Sequence, residues 1–294
     1  MKLKLSHSNF LLPLFVALLL TFNHVALAQQ APVVVKTYGQ HIGGNIVYHH
    51  EVTNTGSRDV VDIAIGLDTD NVGPNTSTRS KGELNFVMPV GLKHLDQGIN
   101  PASISGPTGW TAEIIQIQDS GRFMQWDSPG YPQPDIQTGQ TFRFSVTVPK
   151  YALGYLTGHF SAGYADGKDP WYYNGVMEKL DTTPPTLSVT LSPATLWPPN
   201  DKLVSVTAAI TVKDDYDPEP EIKLESITAN ETLAANDIQG AQFGTDDRSF
   251  SLAAKRAGTN PTGRIYTITY SATDGSGNKS TASATVIVPH DQGK

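Results

Sequence analysis

An acidic turn in the second half of the chain carries the clearest chemical signal in the sequence. Its run Asp-Asp-Tyr-Asp-Pro-Glu begins at Asp214, and a further acid, Asp274, lies in a later polar loop. Calcium takes about six to eight oxygen ligands, which carboxylates on converging loops supply. The alternative is that Asp and Pro only form the turn and keep it solvated. We predict a calcium site formed by Asp214, Asp215, Asp217 and Asp274.

Three adjacent aromatic residues form a second candidate site. Trp171, Tyr172 and Tyr173 stand in the run Asp-Pro-Trp-Tyr-Tyr-Asn-Gly, between turn-forming residues. On a strand, Tyr172 takes the face opposite to its two neighbours, so at least one ring faces solvent. Exposed Trp and Tyr suit a binding surface because each has an apolar body and a polar tip. We predict that this segment binds ligand; the alternative is that it packs against the core and the next domain.

A histidine-containing segment resembles the opening of a zinc-protease motif but lacks the rest of it. The motif is His-Glu-x-x-His on a helix, which places two imidazoles on one face. Here Asn54 stands where the second His is required, and the segment alternates as a strand does. On a strand, His49 and His50 point to opposite faces. We expect a structural role for both.

Other catalytic and metal-binding patterns are incomplete or missing. The run Asp68–Gly73 is similar to the start of an EF-hand loop, but Val72 occupies a ligand position and Arg79 replaces the final Glu. The sequence contains no Gly-x-Ser-x-Gly elbow, phosphate-binding loop or dinucleotide-binding fingerprint. We therefore predict no catalytic residue, although a carboxylate pair for glycoside hydrolysis has no local signature.

Charge and cysteine content exclude several classes of function. The 294 residues include 21 Lys plus Arg and 28 Asp plus Glu, which gives a net charge of −7. Nucleic-acid binding needs a basic face, so we expect no nucleic-acid partner. The chain contains no Cys, which excludes disulfides, thiol nucleophiles and Cys-ligated metals. Calcium is the one cofactor that the residues suggest.

The N-terminus has the features of a secretory signal peptide over residues 1–28. Two lysines precede the apolar stretch Phe10–Leu20, and Ala26-Leu27-Ala28 is a small-x-small cleavage site. The apolar stretch is too short to cross about 30 Å of hydrocarbon as a helix. We expect cleavage before Gln29, export to the periplasm, the cell surface or the medium, and no transmembrane segment in the mature chain.

From Gln29 onward, polar and apolar residues alternate with period two, and no long stretch has the period of a helix. About eight such runs in the first ~150 residues, and about six to seven in the last ~110, are typical of β-sandwiches. The clearest strand is Arg264–Tyr270. Its Tyr266, Ile268 and Tyr270 should face the core.

The segment 181–185, with the sequence Asp-Thr-Thr-Pro-Pro, interrupts this alternation. Two prolines fix φ and remove two backbone donors, so the segment should be extended and stiff. We place a domain boundary there, between a first domain at 29–180 and a second at 186–294. The predicted fold class is all-β, with two tandem immunoglobulin-like β-sandwich domains after a signal peptide.

Residues 181–290 resemble the bacterial immunoglobulin-like domains related to hyalin repeats. The segments that carry this resemblance are Asp181–Pro185, Leu196–Leu203, Asp214–Pro218, Asp246–Phe250 and Tyr270–Asn278. The resemblance implies a β-sandwich module of secreted and cell-surface proteins, used in adhesion or as a spacer. The chain lacks the cysteine pair of extracellular hyalin repeats. The first half resembles an immunoglobulin- or fibronectin-like module of no assigned family.

These features predict an exported, non-enzymatic protein that binds a surface polysaccharide or a surface protein, with the C-terminal domain as a spacer. The first domain holds three of the four Trp residues, so we expect ligand recognition there. Two alternatives remain: an accessory module or small hydrolase of carbohydrate degradation, and a structural component of the envelope or matrix. Exposed edge strands that pair between chains would favour the structural role.

Overall fold

The structure is a computed structural model, and it describes residues 30–66, 104–117, 121–130, 135–149 and 159–290. The predicted signal peptide and the EF-hand-like run lie outside these ranges. The described residues form strands and turns, and none of them belongs to a helix of the length and apolarity that membrane crossing requires. From Ala31 onward they belong to one compact unit.

The first β-sandwich consists of two five-stranded sheets. Sheet I has the order β10-β1-β2-β7-β4, and sheet II has the order β5-β6-β3-β8-β9. Neighbouring strands are antiparallel except β10, which pairs with β1 in parallel. The strands are β1 (Val33–Ile42), β2 (Asn45–Asn54), β3 (Val60–Gly66), β4 (Ile104–Ser105), β5 (Thr111–Ile117), β6 (Gly121–Asp127), β7 (Thr141–Pro149), β8 (His159–Tyr164), β9 (Tyr172–Val176) and β10 (Glu178–Lys179).

The alternation of each strand determines which side chains enter the first core. Sheet I contributes Tyr48 and Val146, and sheet II contributes Ile63, Trp126 and Phe160, all nearly inaccessible to solvent. The residues between them along each strand point to the outer faces. On sheet II, the outer face carries one of the candidate ligand residues, Tyr172.

The second β-sandwich has the strand order of a constant-type immunoglobulin domain. One sheet has the order β11-β12-β15-β14 and the other β13-β16-β17, which correspond to ABED and CFG. Its strands are β11 (Thr186–Ser192), β12 (Leu203–Lys213), β13 (Glu221–Ala229), β14 (Ile238–Gln239), β15 (Ser249–Ala253), β16 (Arg264–Thr273) and β17 (Lys279–Val288). The predicted all-β fold class with immunoglobulin-like sandwiches is confirmed.

Strand β16 has the orientation that the sequence predicts. Tyr266, Ile268 and Tyr270 are fully buried in the second core. The two tyrosine hydroxyls reach backbone acceptors at the far side: Tyr266 donates to the carbonyl of Ala253 at 2.9 Å, and Tyr270 donates to that of Asp247 at 2.6 Å. Each large ring thus fills the core without leaving its polar tip unpaired.

Candidate functional site

The aromatic segment forms the edge strand of sheet II, and its rings occupy different environments. Tyr173 packs on the first core, with its ring centroid 5.9 Å from that of Phe160. Tyr172 lies on the opposite, outer face and is half-buried. Trp171 precedes β9 and is also half-buried, and its carbonyl oxygen accepts a hydrogen bond from the amide of Tyr164 at 3.1 Å. Tyr172 therefore belongs to the outer surface, and Tyr173 belongs to the core.

Tyr172 lies in a row of residues that crosses sheet II. The register places Tyr172 opposite Gly163, Gly163 opposite Asp62, and Asp62 opposite Asp127. Residues opposite each other share a face, so all four lie on the outer face. A Cβ atom at Gly163 would lie 3.0 Å from both the Tyr172 ring and the Asp62 side chain. The absence of a side chain at Gly163 lets the Tyr172 ring approach Asp62.

Asp62 is a buried carboxyl group beside a second carboxyl group. It is 7% exposed. The Gln125 side chain donates through Nε2 to Asp62 Oδ2 at 2.7 Å and to Asp127 Oδ1 at 2.8 Å. Burial, followed by the charge of Asp127 and a hydrogen bond with it, raises the pKa of Asp62 well above its ordinary value. Asp62 thus retains a proton to higher pH than an exposed aspartate and can then donate as well as accept.

Three buried polar atoms on this face have no hydrogen-bond partner in the part of the chain that the structure describes: Asp62 Oδ1, Gln125 Oε1 and Ser161 Oγ. Two residues along β3 from Asp62, Ala64 pairs with Gln125 on β6 and with Ser161 on β8. The three atoms therefore belong to residues on one face of three adjacent strands. A buried polar atom without a partner costs about 1–3 kcal/mol.

This outer face of sheet II combines an aromatic ring with a set of uncharged or proton-sharing polar groups. Burial, then the nearby Asp62 and Asp127, raises the pKa of Tyr172, so its hydroxyl stays protonated at neutral pH. The arrangement offers ring surface, hydroxyls, an amide and carboxyl groups together. Such a surface suits a ligand that is apolar on one face and rich in hydroxyls at its edge.

The two sandwiches meet where β1 contacts two loops of the second sandwich. The backbones of Gly39 and Gly275 approach so closely that a Cβ atom at Gly39 would lie 2.1 Å from the Gly275 carbonyl oxygen. The amide of Gly39 donates to Ser276 Oγ at 3.0 Å. The rings of Tyr38 and Tyr216 lie 5.1 Å apart. The junction is therefore a direct backbone and side-chain contact.

A buried hydrogen-bonded pair, His41 and Asp217, also links the two sandwiches. Asp217 Oδ2 lies 2.6 Å from His41 Nδ1 and accepts from the amide of Gly275 at 2.7 Å, and Asp217 Oδ1 accepts from the amide of His41 at 3.0 Å. Burial alone would raise the pKa of Asp217, but hydrogen bonds from the His41 ring and the amides of Glu219 and His41 lower it below its ordinary value. Asp217 therefore acts as a charged anchor of the junction.

A cluster of three carboxylates lies beside this anchor. Asp181, Asp214 and Asp274 each offer one carboxylate oxygen, and these three oxygens lie within 4.8 Å of one another. Asp214 and Asp274 directly follow β12 and β16, and Asp181 lies two residues after the end of β10. We call this group the junction cluster. Of the four residues predicted to bind calcium, the structure brings Asp214 and Asp274 together; Asp217 instead pairs with His41, and Asp215 is exposed outside the cluster.

The junction cluster has few internal donors for its negative charge. Asp274 and Asp181 are 0% and 1% exposed, and Asp181 Oδ2 is buried without a hydrogen-bond partner among the described residues. Burial, and then the charges of Asp181 and Asp214, raises the pKa of Asp274 to about 6, although hydrogen bonds from Asn278 oppose the shift. The same Asn278 accepts from Lys179 Nζ at 2.6 Å and donates to the Asp181 carbonyl at 3.2 Å.

The histidine-containing segment lies in β2, where its two rings face opposite sides. His49 contacts Ser145 Oγ at 2.8 Å and Gln40 Oε1 at 2.9 Å. His50 is fully buried, with its ring centroid 6.3 Å from that of Trp126. Burial lowers the pKa of His50 to about 3, so the ring is neutral at physiological pH.

Sequence reasoning did not identify Asp62, Asp127, Gln125 or Ser161 as site residues, and it placed Asp181 only in the proline hinge and in the family resemblance. A signal was present for Asp62, because it is an acid inside an apolar strand, between Val61 and Ile63. No comparable signal marks Asp181. Its proximity to Asp214 and Asp274 depends on how the segment after β10 lies against the second sandwich.

Comparisons with known proteins leave the family open. No protein-family model and no curated protein matches the chain. Among solved structures, a similar chain is the full ectodomain of mouse nectin-like molecule 4, domains Ig1–Ig3, with a TM-score of 0.23 and 14% sequence identity. The match covers 88% of this chain and 64% of that chain, which is less than two thirds of the ectodomain. A likeness this weak carries no argument, and the relation of residues 181–290 to hyalin repeats stays a prediction.

Proposed function

We propose that this chain is an exported, non-enzymatic binding protein that recognises a polysaccharide on the outer face of sheet II. The second sandwich acts as a spacer that holds this face at a fixed orientation. Export is inferred from the signal-peptide features of residues 1–28. The ligand class is inferred from the residues around Tyr172 and Asp62.

The half-buried Tyr172, Gln125 and Asp127 side chains, which surround the buried Asp62 on the outer face, carry the proposal. Asp62 Oδ1, Gln125 Oε1 and Ser161 Oγ are buried polar atoms that no described residue satisfies. Sugar hydroxyls both donate and accept, so one sugar could satisfy the protonated or the ionised form of Asp62. The Tyr172 ring lies beside them and offers an apolar surface for a sugar ring.

The binding experiment uses the full mature chain, residues 29–294, with a panel of insoluble polysaccharides and whole cell envelopes. We expect saturable binding to at least one material. The Asp62→Asn variant should lower the affinity by at least about tenfold, because a hydrogen bond to a charged or proton-sharing group contributes about 1.5–3 kcal/mol. The double variant Trp171→Ala/Tyr172→Ala should also lower the affinity, because it removes the ring surface on which a sugar ring would pack.

The matched control is Trp197→Ala, which removes an aromatic ring of the second sandwich that is 43% exposed. This variant should bind as the wild type does. Absence of binding to every material, or equal losses in Trp197→Ala and Asp62→Asn, would contradict the proposal. Release of reducing ends from a bound polysaccharide would instead support the hydrolase alternative, since Asp62 and Asp127 form a carboxyl pair.

A further inference from the structure

We infer that the junction cluster binds one calcium ion, which bridges the segment after β10 to two loops of the second sandwich. The ion is held by Asp181, Asp214 and Asp274. Asp215 and Asp217, which the sequence places in the same acidic turn, do not take part. This inference is independent of the proposed polysaccharide binding, because the cluster and the outer face of sheet II share no residue.

The geometry is the first argument for a cation. Three carboxylate oxygens within 4.8 Å of one another repel strongly when ionised, and two of the three residues are almost completely buried. A hard divalent cation at the centre removes this repulsion. An all-carboxylate set favours calcium or magnesium over zinc or copper, which prefer nitrogen or sulfur ligands.

The second argument is the buried oxygen of Asp181. Its Oδ1 accepts from the amide of Thr183 at 3.1 Å, but its Oδ2 has no partner within the described part of the chain. The other two carboxylates already use oxygens in their own turns: Asp214 Oδ1 accepts from the amides of Tyr216 and Asp217, and both Asp274 oxygens accept from Asn278. The free oxygen of Asp181 is thus the atom that most needs a cation.

The third argument concerns which of the two ions, calcium or magnesium, suits the arrangement of the ligands. The three ligand residues lie within two residues of the ends of three different strands, on separate segments of the chain. Calcium tolerates such irregular, loop-borne ligand sets and can complete its shell with water. Magnesium demands near-ideal octahedral geometry and dehydrates reluctantly. We therefore assign calcium.

The test is a thermal melt of the full mature chain, stripped with chelator and then titrated with calcium chloride, beside calorimetric titration for stoichiometry. We expect one ion per chain and a rise in Tm of roughly 5–10 °C at 100 times the Kd. The Asp214→Asn variant should show no rise. In chelator its Tm should equal or exceed that of the wild type, because one repelling charge is gone, and this result separates loss of the site from misfolding.

The matched control is Asp215→Asn, which removes the neighbouring charge outside the cluster and should keep the full response to calcium. No rise in the wild type, or an equal rise in Asp214→Asn, would overturn the inference. An equal rise with magnesium chloride would overturn the assignment to calcium. Polysaccharide binding is measured separately, so failure of either proposal leaves the other intact.

Discussion

Two sets of buried carboxyl groups in the described part of the chain, on the outer face of sheet II and in the junction cluster, differ in what can neutralise them. On the outer face of sheet II, Asp62 lies beside one further acid and a neutral amide, so a single shared proton relieves the repulsion. In the junction cluster, three acids converge, and one proton cannot satisfy them. The groups that surround a buried aspartate, rather than the residue type itself, decide whether it keeps a proton or is suited to a hydroxylated ligand or to a cation.

The largest effect is expected from a substitution that disrupts the contact between the two sandwiches, beside which the junction cluster lies. In Gly39→Ala, the new Cβ would meet the Gly275 carbonyl oxygen at 2.1 Å, so one backbone must move. Overpacking of this kind costs about 1–3 kcal/mol. We expect a lower free energy of unfolding by denaturant and a weaker response to calcium.

Gly258→Ala is the control for Gly39→Ala, because nothing lies within 4 Å of a Cβ atom at Gly258. Its stability should stay within about 0.5 kcal/mol of the wild type. If Gly39→Ala is as stable as Gly258→Ala, the two sandwiches do not meet as described.

A smaller effect is expected at Asp62, on the outer face of sheet II. The folded-state pKa of Asp62 is raised, so the folded protein loses stability as the pH rises from about 3.8 to that pKa, and the full loss persists above it. The isosteric Asp62→Asn should therefore be more stable than the wild type at neutral pH, by roughly 1 kcal/mol. This advantage should shrink as the pH falls towards about 3.8, where the unfolded chain is protonated as well.

Chemical denaturation of both proteins between neutral and acidic pH checks the Asp62 prediction. The lowered pKa of His50, about 3, makes both proteins less stable as the pH falls below about 6.5. The difference between the two proteins removes this contribution. A variant that is less stable than the wild type at neutral pH would show that the Asp62 charge is stabilised in the folded protein.

The smallest expected effect comes from Glu51, whose side chain is 27% exposed and which serves as a reference. Glu51 Oε1 lies 2.8 Å from Arg143 Nη2, and the Arg143 side chain is 56% exposed. Exposed ion pairs contribute about 0.2–1 kcal/mol. We expect Glu51→Gln to change the free energy of unfolding by about 0.5 kcal/mol or less. A larger loss would mean that burial does not distinguish Asp62 and the junction cluster from Glu51.

Much of the fold follows from local sequence. Alternation placed β16 and its three inward residues, and it marked the neighbouring strands of the second sandwich, because one buried face imposes period two. The short strands β4, β10 and β14 carry only two residues each, too few for a period to be visible. Their pairing depends on longer neighbours that supply the hydrogen-bonding edge.

The candidate sites were harder to predict, because their residues come from separate strands. Tyr172 was identified as an exposed ring candidate, but the sequence does not reveal that Gly163 and Asp62 lie beside it, since that depends on register across three strands. In the acidic turn, spacing alone does not show that Asp217 turns to His41 while Asp214 turns to Asp181. The sequence indicates which residue types are present in a segment, and the tertiary contacts determine which of these residues come together in a site.

One measurement tests the central claim that the outer face of sheet II is the ligand surface and the junction cluster is not. The bound fraction of Asp62→Asn and of Asp214→Asn is measured on the same polysaccharide, at equal protein concentration and in calcium. We expect the bound fraction of Asp62→Asn to fall to background, and that of Asp214→Asn to equal the bound fraction of the wild type. Equal binding by the two variants, or a loss confined to Asp214→Asn, would contradict it.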